Sequence, residues 1–289
     1  MHLAYIISSY RYPGQLIRLV NRLNTPYASF YVHVDKKTDD VTLGEMKGGL
    51  SGLSNVDFLS RHRCEWGGFG HVAATLEGIR AIVEGGRLGD YVILLTAQDY
   101  PIKTNEQIRD YLTAHDGQLF MEYFALPDKG WTNGGLDRYQ AWHWRLYGRH
   151  LTLSPQSFGA TPRSVPGGLQ AYGGSSYWCL SRPSIEYVYR FVVEHPAFLR
   201  FFRHVDVPDE LFFQTIILNS EFRQSVVNDN LRYIEWNDVD SGSPAVLDSS
   251  RVPQLASSAA LFARKFDSSV DARVLDAIDE QLLGVRRAA

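Results

Sequence analysis

The stretch YVILLTAQDYPIKT, Tyr91 to Thr104, constrains the fold more than any other part of this chain. Tyr91 to Leu95 are all apolar or aromatic, so a strand there has no face to turn toward water. A strand without polar alternation must be covered on both sides, which is the pattern of a central strand in a parallel sheet. Such a sheet needs helices to cover it, and the flanking sequence supplies them. Leu3 to Ile7 is a short apolar run ending in Ser8 and Ser9; beyond Pro13 and Gly14, apolar residues from Leu16 to Leu23 recur at helical spacing. Phe30 to Val34 reads as a second strand that stops at Asp35, and Val56 to Leu59 as a third. Phe69 to Val83 keeps the helical period until Gly85 and Gly86 close it. The alternation predicts an α/β fold with a mostly parallel sheet and helices on both faces, whose ligands bind beyond the carboxyl ends of the strands. Ser8, Ser9, Asp35 and Asp99 stand at those ends.

From about Ile108 the pattern loosens. A helix reaching Leu112 and a strand over Leu119 to Tyr123 lead into a polar, aromatic, glycine-bearing stretch, Asp128 to Gly168, which reads as a long functional loop. Beyond it the sequence predicts a strand within AYGGSSYWCLSR, a helix from Pro183 to Glu194, a helix opening at Val207, a strand within Leu231 to Trp236, and a closing helical segment after Ala259. With 289 residues, no repeat and no low-complexity linker, the expected organisation is one domain spanning 1–289. Its halves are 1–107, facing a nucleotide sugar in the reading reached below, and 108–289, which wraps onto the first. Twenty-nine basic against thirty-two acidic residues leave a net charge of −3, giving no reason to expect nucleic acid as a partner. No apolar run has the roughly 20 residues of a membrane span, and the first residues do not resemble a signal peptide. The expected location is cytoplasmic, with peripheral association at the inner face of a membrane left open. Two distant cysteines, Cys64 and Cys179, suit a reducing compartment and form no thiolate metal motif.

Four segments carry candidate chemistry, and each has a plainer alternative. GGFGHVA, Gly67 to Ala73, has the GxGxxA form of a dinucleotide fingerprint, but it does not follow the first strand directly, so a tight helix entry is the better account. In VPDELFF, Asp209 and Glu210 could simply complement a helix N-terminus, with Asp206 as a cap. Alternatively, adjacent carboxylates beside Phe212 and Phe213 could raise one another's pKa and leave a usable general base. In LFARKFD, Arg264 and Lys265 are either a solvated pair or, in a cleft, a site for a diphosphate that needs no divalent cation. Trp131 to His150 holds three of the six tryptophans, Trp131, Trp142 and Trp144, which are either core or a wall for sugar rings. Asp238 and Asp240 form a DxD, read here as a solvated turn. HExxH, EF-hand, GxSxG and P-loop motifs are absent.

In order and spacing, YIISSYR, FYVHVDKK, WGGFGHVAATLEGI, LLTAQDYPIKT, AYGGSSYWCLSR, PDELFFQTIILNS, LRYIEW and LFARKFD resemble one glycosyltransferase family, the core-2/I-branching β-1,6-N-acetylglucosaminyltransferases and peptide O-xylosyltransferases. The resemblance covers nearly the whole chain and is weakest from Asp128 to Gly168. It implies a GT-A-type, Rossmann-like fold and an inverting, metal-independent transfer of a sugar, N-acetylglucosamine or xylose, from a UDP donor to a glycan or glycoconjugate hydroxyl. No cofactor is implied beyond the UDP-sugar substrate. By the same resemblance Glu210 is the catalytic base, Arg264 and Lys265 bind the diphosphate, Asp35 contacts the nucleoside, and Ser8 and Ser9 lie against uridine. Arg63 and Asp99 join the donor side; Glu122, Trp131, Trp142, Trp144, Asp209 and Trp236 form the acceptor side. Members often carry a membrane anchor, a stem and disulfides, so this chain looks like a trimmed version. Asp99 stands where a metal-binding DxD would end, but Thr96, Ala97 and Gln98 add no second carboxylate. Its expected role is to orient donor hydroxyls or a loop amide. The rival readings are a metal-dependent transferase, a non-catalytic carbohydrate-binding protein and a dinucleotide oxidoreductase.

Overall fold

The computed structural model describes residues 1–86, 89–237 and 243–285. The first half forms β1 (Leu3–Ser9), α1 (Pro13–Leu23), β2 (Ala28–Val34), α2 (Asp40–Leu50), β3 (Val56–Phe58), α3 (Gly70–Glu84), β4 (Tyr91–Thr96) and β5 (Tyr100–Pro101), followed by α4 (Asn105–Ala114) and β6 (Leu119–Met121). Its strands β1 to β4 are parallel, with β1 between β2 and β4. The sheet then continues into the second half: strand Trp178–Ser181 runs antiparallel to β4, and β6 and Val226–Val227 complete seven strands. Residues from both halves therefore share one hydrogen-bonded sheet.

The alternation of side chains along β1 shows why the apolar runs are unbroken. Leu3, Tyr5 and Ile7 enter one buried cluster with α1, Met46 and the C-terminal helix Val274–Gln281, while Ala4 and Ile6 enter the other with α3 and helix Arg182–Glu194. Both faces are covered, as the Tyr91 to Leu95 run requires. The sequence pattern missed α2, whose glycines and scattered polar residues bury only Met46 and Leu50.

Three expectations for the second half are corrected. Asp128 to Gly168 is not structureless: Trp142–Leu146 and Arg149–Leu153 form an antiparallel hairpin among short helical turns. Val207 does not open an α-helix. It adopts a left-handed backbone (φ 47°), an outlier for a β-branched residue, ahead of a separate 3-10 turn, Pro208–Glu210, with the α-helix beginning only at Phe212. The segment after Ala259 opens as a strand, Phe262–Arg264, between Arg232–Ile234 and β5. The helix comes later, at Val274–Gln281, where Arg18 and Arg22 of α1 hold Asp279 at 2.6 and 2.5 Å and Tyr100 donates to the same carboxylate.

Candidate active site

A cleft of about 1110 Å³ opens beyond the carboxyl ends of β1, β2 and β4, lined there by Ser8, Ser9, Asp35 and Gln98. The same cleft takes Glu122, Trp131, Asp209, Glu210, Trp236, Arg264 and Lys265 from the second half. Ten of the residues expected at the site thus share one space, and the rest do not.

One end of the cleft is cationic. Strand Phe262–Arg264 is fixed by pairing with Arg232–Ile234 and β5, and the amide of Phe266 donates to the Gln98 carbonyl at 2.9 Å. This brings the tail of the chain against the end of β4. Arg264 is buried, lies over the Tyr177 ring at 4.1 Å, and leaves its Nε and Nη1 without a hydrogen-bond partner. Burial pulls its pKa down, against the raising effect of Asp99 at 3.6 Å. Burial, with Arg264 and Arg11 nearby, also lowers Lys265, whose ammonium donates to Ser243 at 2.6 Å. A desolvated guanidinium with an unpartnered donor beside an ammonium is a pair chemically suited to an anion. Arg11 lines the cleft as well, held by Asp267 at 3.1 Å. Sequence reasoning quoted Arg11 within YIISSYR but gave it no role; its position two residues beyond the end of β1 was the available signal.

The other end is acidic and aromatic. The left-handed turn at Val207, whose amide donates to the Gly67 carbonyl at 3.0 Å, aims Asp209 and Glu210 into the cleft. Burial first, and Asp209 second, raise the Glu210 pKa to about 7, although Arg138 approaches its Oε2 at 2.6 Å. Arg138 in turn lies 3.5 Å over the Trp131 ring, so aromatic, cation and carboxylate form one stack. Asp209 accepts from Ser176 at 2.9 Å through Oδ2 and keeps a buried Oδ1 with no partner. Glu122 accepts from Asn230 at 3.0 Å. The helix-N-terminus account of the two acids fails because they sit in a turn separate from the α-helix, and Asp206 caps nothing: it holds Arg145 at 2.6 Å. Arg138 falls within the aromatic segment Trp131 to His150, but its pairing with Glu210, 72 residues away, was not expected from sequence.

Four expected site residues lie elsewhere. Asp99 is wholly buried, its Oδ2 bound by the Thr96 amide and hydroxyl and its Oδ1 facing Arg264. It therefore holds a loop amide, one of its two expected roles, and it has a charged neighbour where none was expected. Arg63 is exposed, pairs with Glu65 at 3.1 Å and covers Tyr147. Trp142 packs under Arg163 and Trp144 against His204, both outside the cleft lining. The glycines of GGFGHVA serve a tight entry to α3: a Cβ on Gly70 would lie 2.1 Å from the Arg63 carbonyl oxygen. Asp238 and Asp240 lie outside the described residues.

Fold and cleft together describe an α/β protein with a cleft at its strand ends, cationic at one end and carrying a carboxyl of raised pKa at the other. The family profile of the Core-2/I-Branching enzymes matches residues 3–254, and the chain belongs to that family of glycosyltransferases. It is similar to Xylosyltransferase 2 of Homo sapiens, 30% identical over 294 residues, and to Xylosyltransferase oxt of Drosophila melanogaster, 28% identical over 299 residues. Each alignment covers 93% of this chain and 32% of the other, so the chain spans about a third of the length of those relatives. Among solved structures, mouse Xyloside xylosyltransferase 1 in its apo form aligns over 91% of this chain and 96% of its own, with a TM-score of 0.42 and 11% identity, too distant to add to the argument. Among the described residues no helix is long and apolar enough to cross a membrane.

Proposed function

We propose that this chain is an inverting glycosyltransferase of GT-A type that moves a sugar, xylose or N-acetylglucosamine, from a UDP donor to an acceptor hydroxyl without a catalytic metal ion. The observation that carries this reading is the pairing of a cationic end, Arg264 and Lys265, with a raised carboxyl, Glu210, across one cleft. The relatives' names, xylosyltransferases, support xylose as the first donor to try. In this reading uridine lies against Ser8, Ser9 and Asp35, and the diphosphate takes the unpartnered Nη1 of Arg264 together with the Lys265 ammonium. The acceptor rests near Trp131, with the free Oδ1 of Asp209 taking a hydrogen bond from one of its hydroxyls.

Glu210 in its ionised form removes the proton from the acceptor hydroxyl as that oxygen attacks the anomeric carbon. The bond to UDP breaks on the opposite face, so one displacement inverts the centre. Negative charge grows on the leaving diphosphate, and the two cations stabilise it more in the transition state than before it. A pKa of about 7 makes Glu210 a stronger base than an ordinary carboxylate while leaving much of it ionised near neutrality. The metal-free reading rests on the donor set: Asp99 is occupied by Thr96 and Arg264, and an arginine stands where a cation would balance the phosphates. The decisive test is transfer from a panel of UDP-sugars, with and without excess EDTA. Turnover that survives the chelator supports the reading; loss restored by Mn²⁺ overturns its metal-free part, and no transfer with any UDP-sugar overturns the whole.

A further inference from the structure

Outside the donor and acceptor contacts, the hairpin Trp142–Leu146/Arg149–Leu153 buries a histidine of its polar face while two leucines of its apolar face stand exposed. Cross-strand neighbours share a face, and the pairings Trp142 with Leu153 and Trp144 with Leu151 put the apolar set on one side and His143, Arg145, His150 and Thr152 on the other. Leu151 and Leu153 are 57% and 44% exposed, whereas His143 is buried. Part of the polar face is turned to the protein, with Arg145 and His150 reaching Asp206, while Thr152 stays exposed; of the apolar face, Trp142 and Trp144 are half-buried against Arg163 and His204.

The two histidines are arranged for more than packing. His143 Nε2 lies 2.9 Å from the Asp137 carbonyl oxygen, which can only accept, so Nε2 carries the proton and Nδ1 presents a bare lone pair. That Nδ1 is 3.0 Å from His150 Nε2, which is 3.6 Å from Asp206 Oδ1, and one ligand atom from each of the three residues lies within 4.8 Å of the others. Zn–N bonds of about 2.0–2.1 Å in a tetrahedron put neighbouring ligand atoms about 3.3 Å apart, midway between the two separations seen here. A histidine whose second nitrogen donates to a backbone carbonyl, and a carboxylate steadied by an arginine, are the usual outer partners of metal ligands. His150 is about one-third exposed on its side chain, which leaves a way in for an ion and for a water as fourth ligand.

We propose that His143, His150 and Asp206 form a zinc-binding site, distinct from the donor site, that clamps the hairpin to the segment carrying the catalytic carboxylates. Asp206 stands four residues before Glu210, with the left-handed Val207 between them, so fixing Asp206 fixes the aim of the Pro208–Glu210 turn. Arg145, donating to the same Asp206 oxygen at 2.6 Å, opposes the ion's charge and sets the affinity near the micromolar rather than the picomolar range expected of closed structural sites.

The test uses the chelator-stripped protein titrated with Zn²⁺ by calorimetry, and with Co²⁺ for the visible absorption of a tetrahedral complex. One equivalent is expected to bind, and saturating Zn²⁺ to raise Tm by about 2–8 °C. His150→Ala, at an accessible position, should weaken Zn²⁺ binding at least tenfold and abolish the Co²⁺ spectrum; His143→Ala should do the same if it folds. A plain hydrogen bond between the histidines predicts instead that His150→Ala lowers Tm equally with and without Zn²⁺. Zn²⁺ binding no tighter to wild type than to His150→Ala overturns the proposal. These readouts do not depend on turnover or UDP, so their failure leaves the transfer reading standing, and the EDTA assay of His150→Ala separates loss of this ion from loss of a catalytic one.

Discussion

The two ends of the cleft are built in different ways. The cationic end is rigid and backbone-anchored: Arg264 ends a strand paired on both sides, and its neighbour Phe266 is tied to the end of β4. The acidic end hangs on side chains and turns: Glu210 sits in a three-residue 3-10 turn after a left-handed valine, and its charge is balanced by Arg138 from a segment of short helical turns. On the proposed reading, a donor common to many reactions suits a fixed receptor, whereas acceptors differ, and variable recognition is easier to place on loops over a rigid scaffold.

The largest expected effect isolates the acidic end. Glu210→Gln should lower kcat by about 10²–10⁴-fold while UDP affinity by calorimetry stays near wild type; equal loss of both would mean that the carboxyl serves the fold. Next, Lys265→Ala should weaken UDP about tenfold or more, the scale of one charged hydrogen bond, and unchanged UDP affinity would remove the proposed diphosphate site. Arg264 is a poorer probe, since its loss leaves Asp99 buried and unpaired. A pH profile sharpens the contrast further. The base must be ionised, so kcat/KM should rise with pH through about 7. Arg138→Met removes the cation that holds the Glu210 proton affinity down and should move that rise to higher pH; a shift to lower pH would contradict the assigned pairing. The smallest effect is that of Trp131→Ala, expected to raise acceptor KM several-fold without altering UDP binding, since the ring supports Arg138 and one wall of the cleft.

What could be read from the sequence follows the same division. Strand ends, the Tyr91 to Leu95 run and the helices beside them have a period, so Ser8, Ser9 and Asp35 could be placed before any coordinates. Asp99 was placed on the right strand end but facing the wrong way, because a local pattern does not show which carboxylates turn inward to hold their own loop. The pairings of Arg138 with Glu210 and of His150 with Asp206 were not legible: each joins residues tens of positions apart, in a segment that looked like an open loop and holds the hairpin. Trp142 and Trp144 misled for the same reason, since only the register of that hairpin decides which side a tryptophan takes.

The strand Phe262–Arg264, paired on both sides, sets an order of events. A ribosome delivers Glu210 and the whole seven-stranded sheet before it delivers the two cations, and domains generally begin folding from the N-terminal side. Until that strand emerges and docks against Tyr100 and Pro101, the nascent chain carries Glu210 without Arg264 and Lys265. If the two cations grip the donor as proposed, competence to hold an activated sugar follows the acid rather than precedes it.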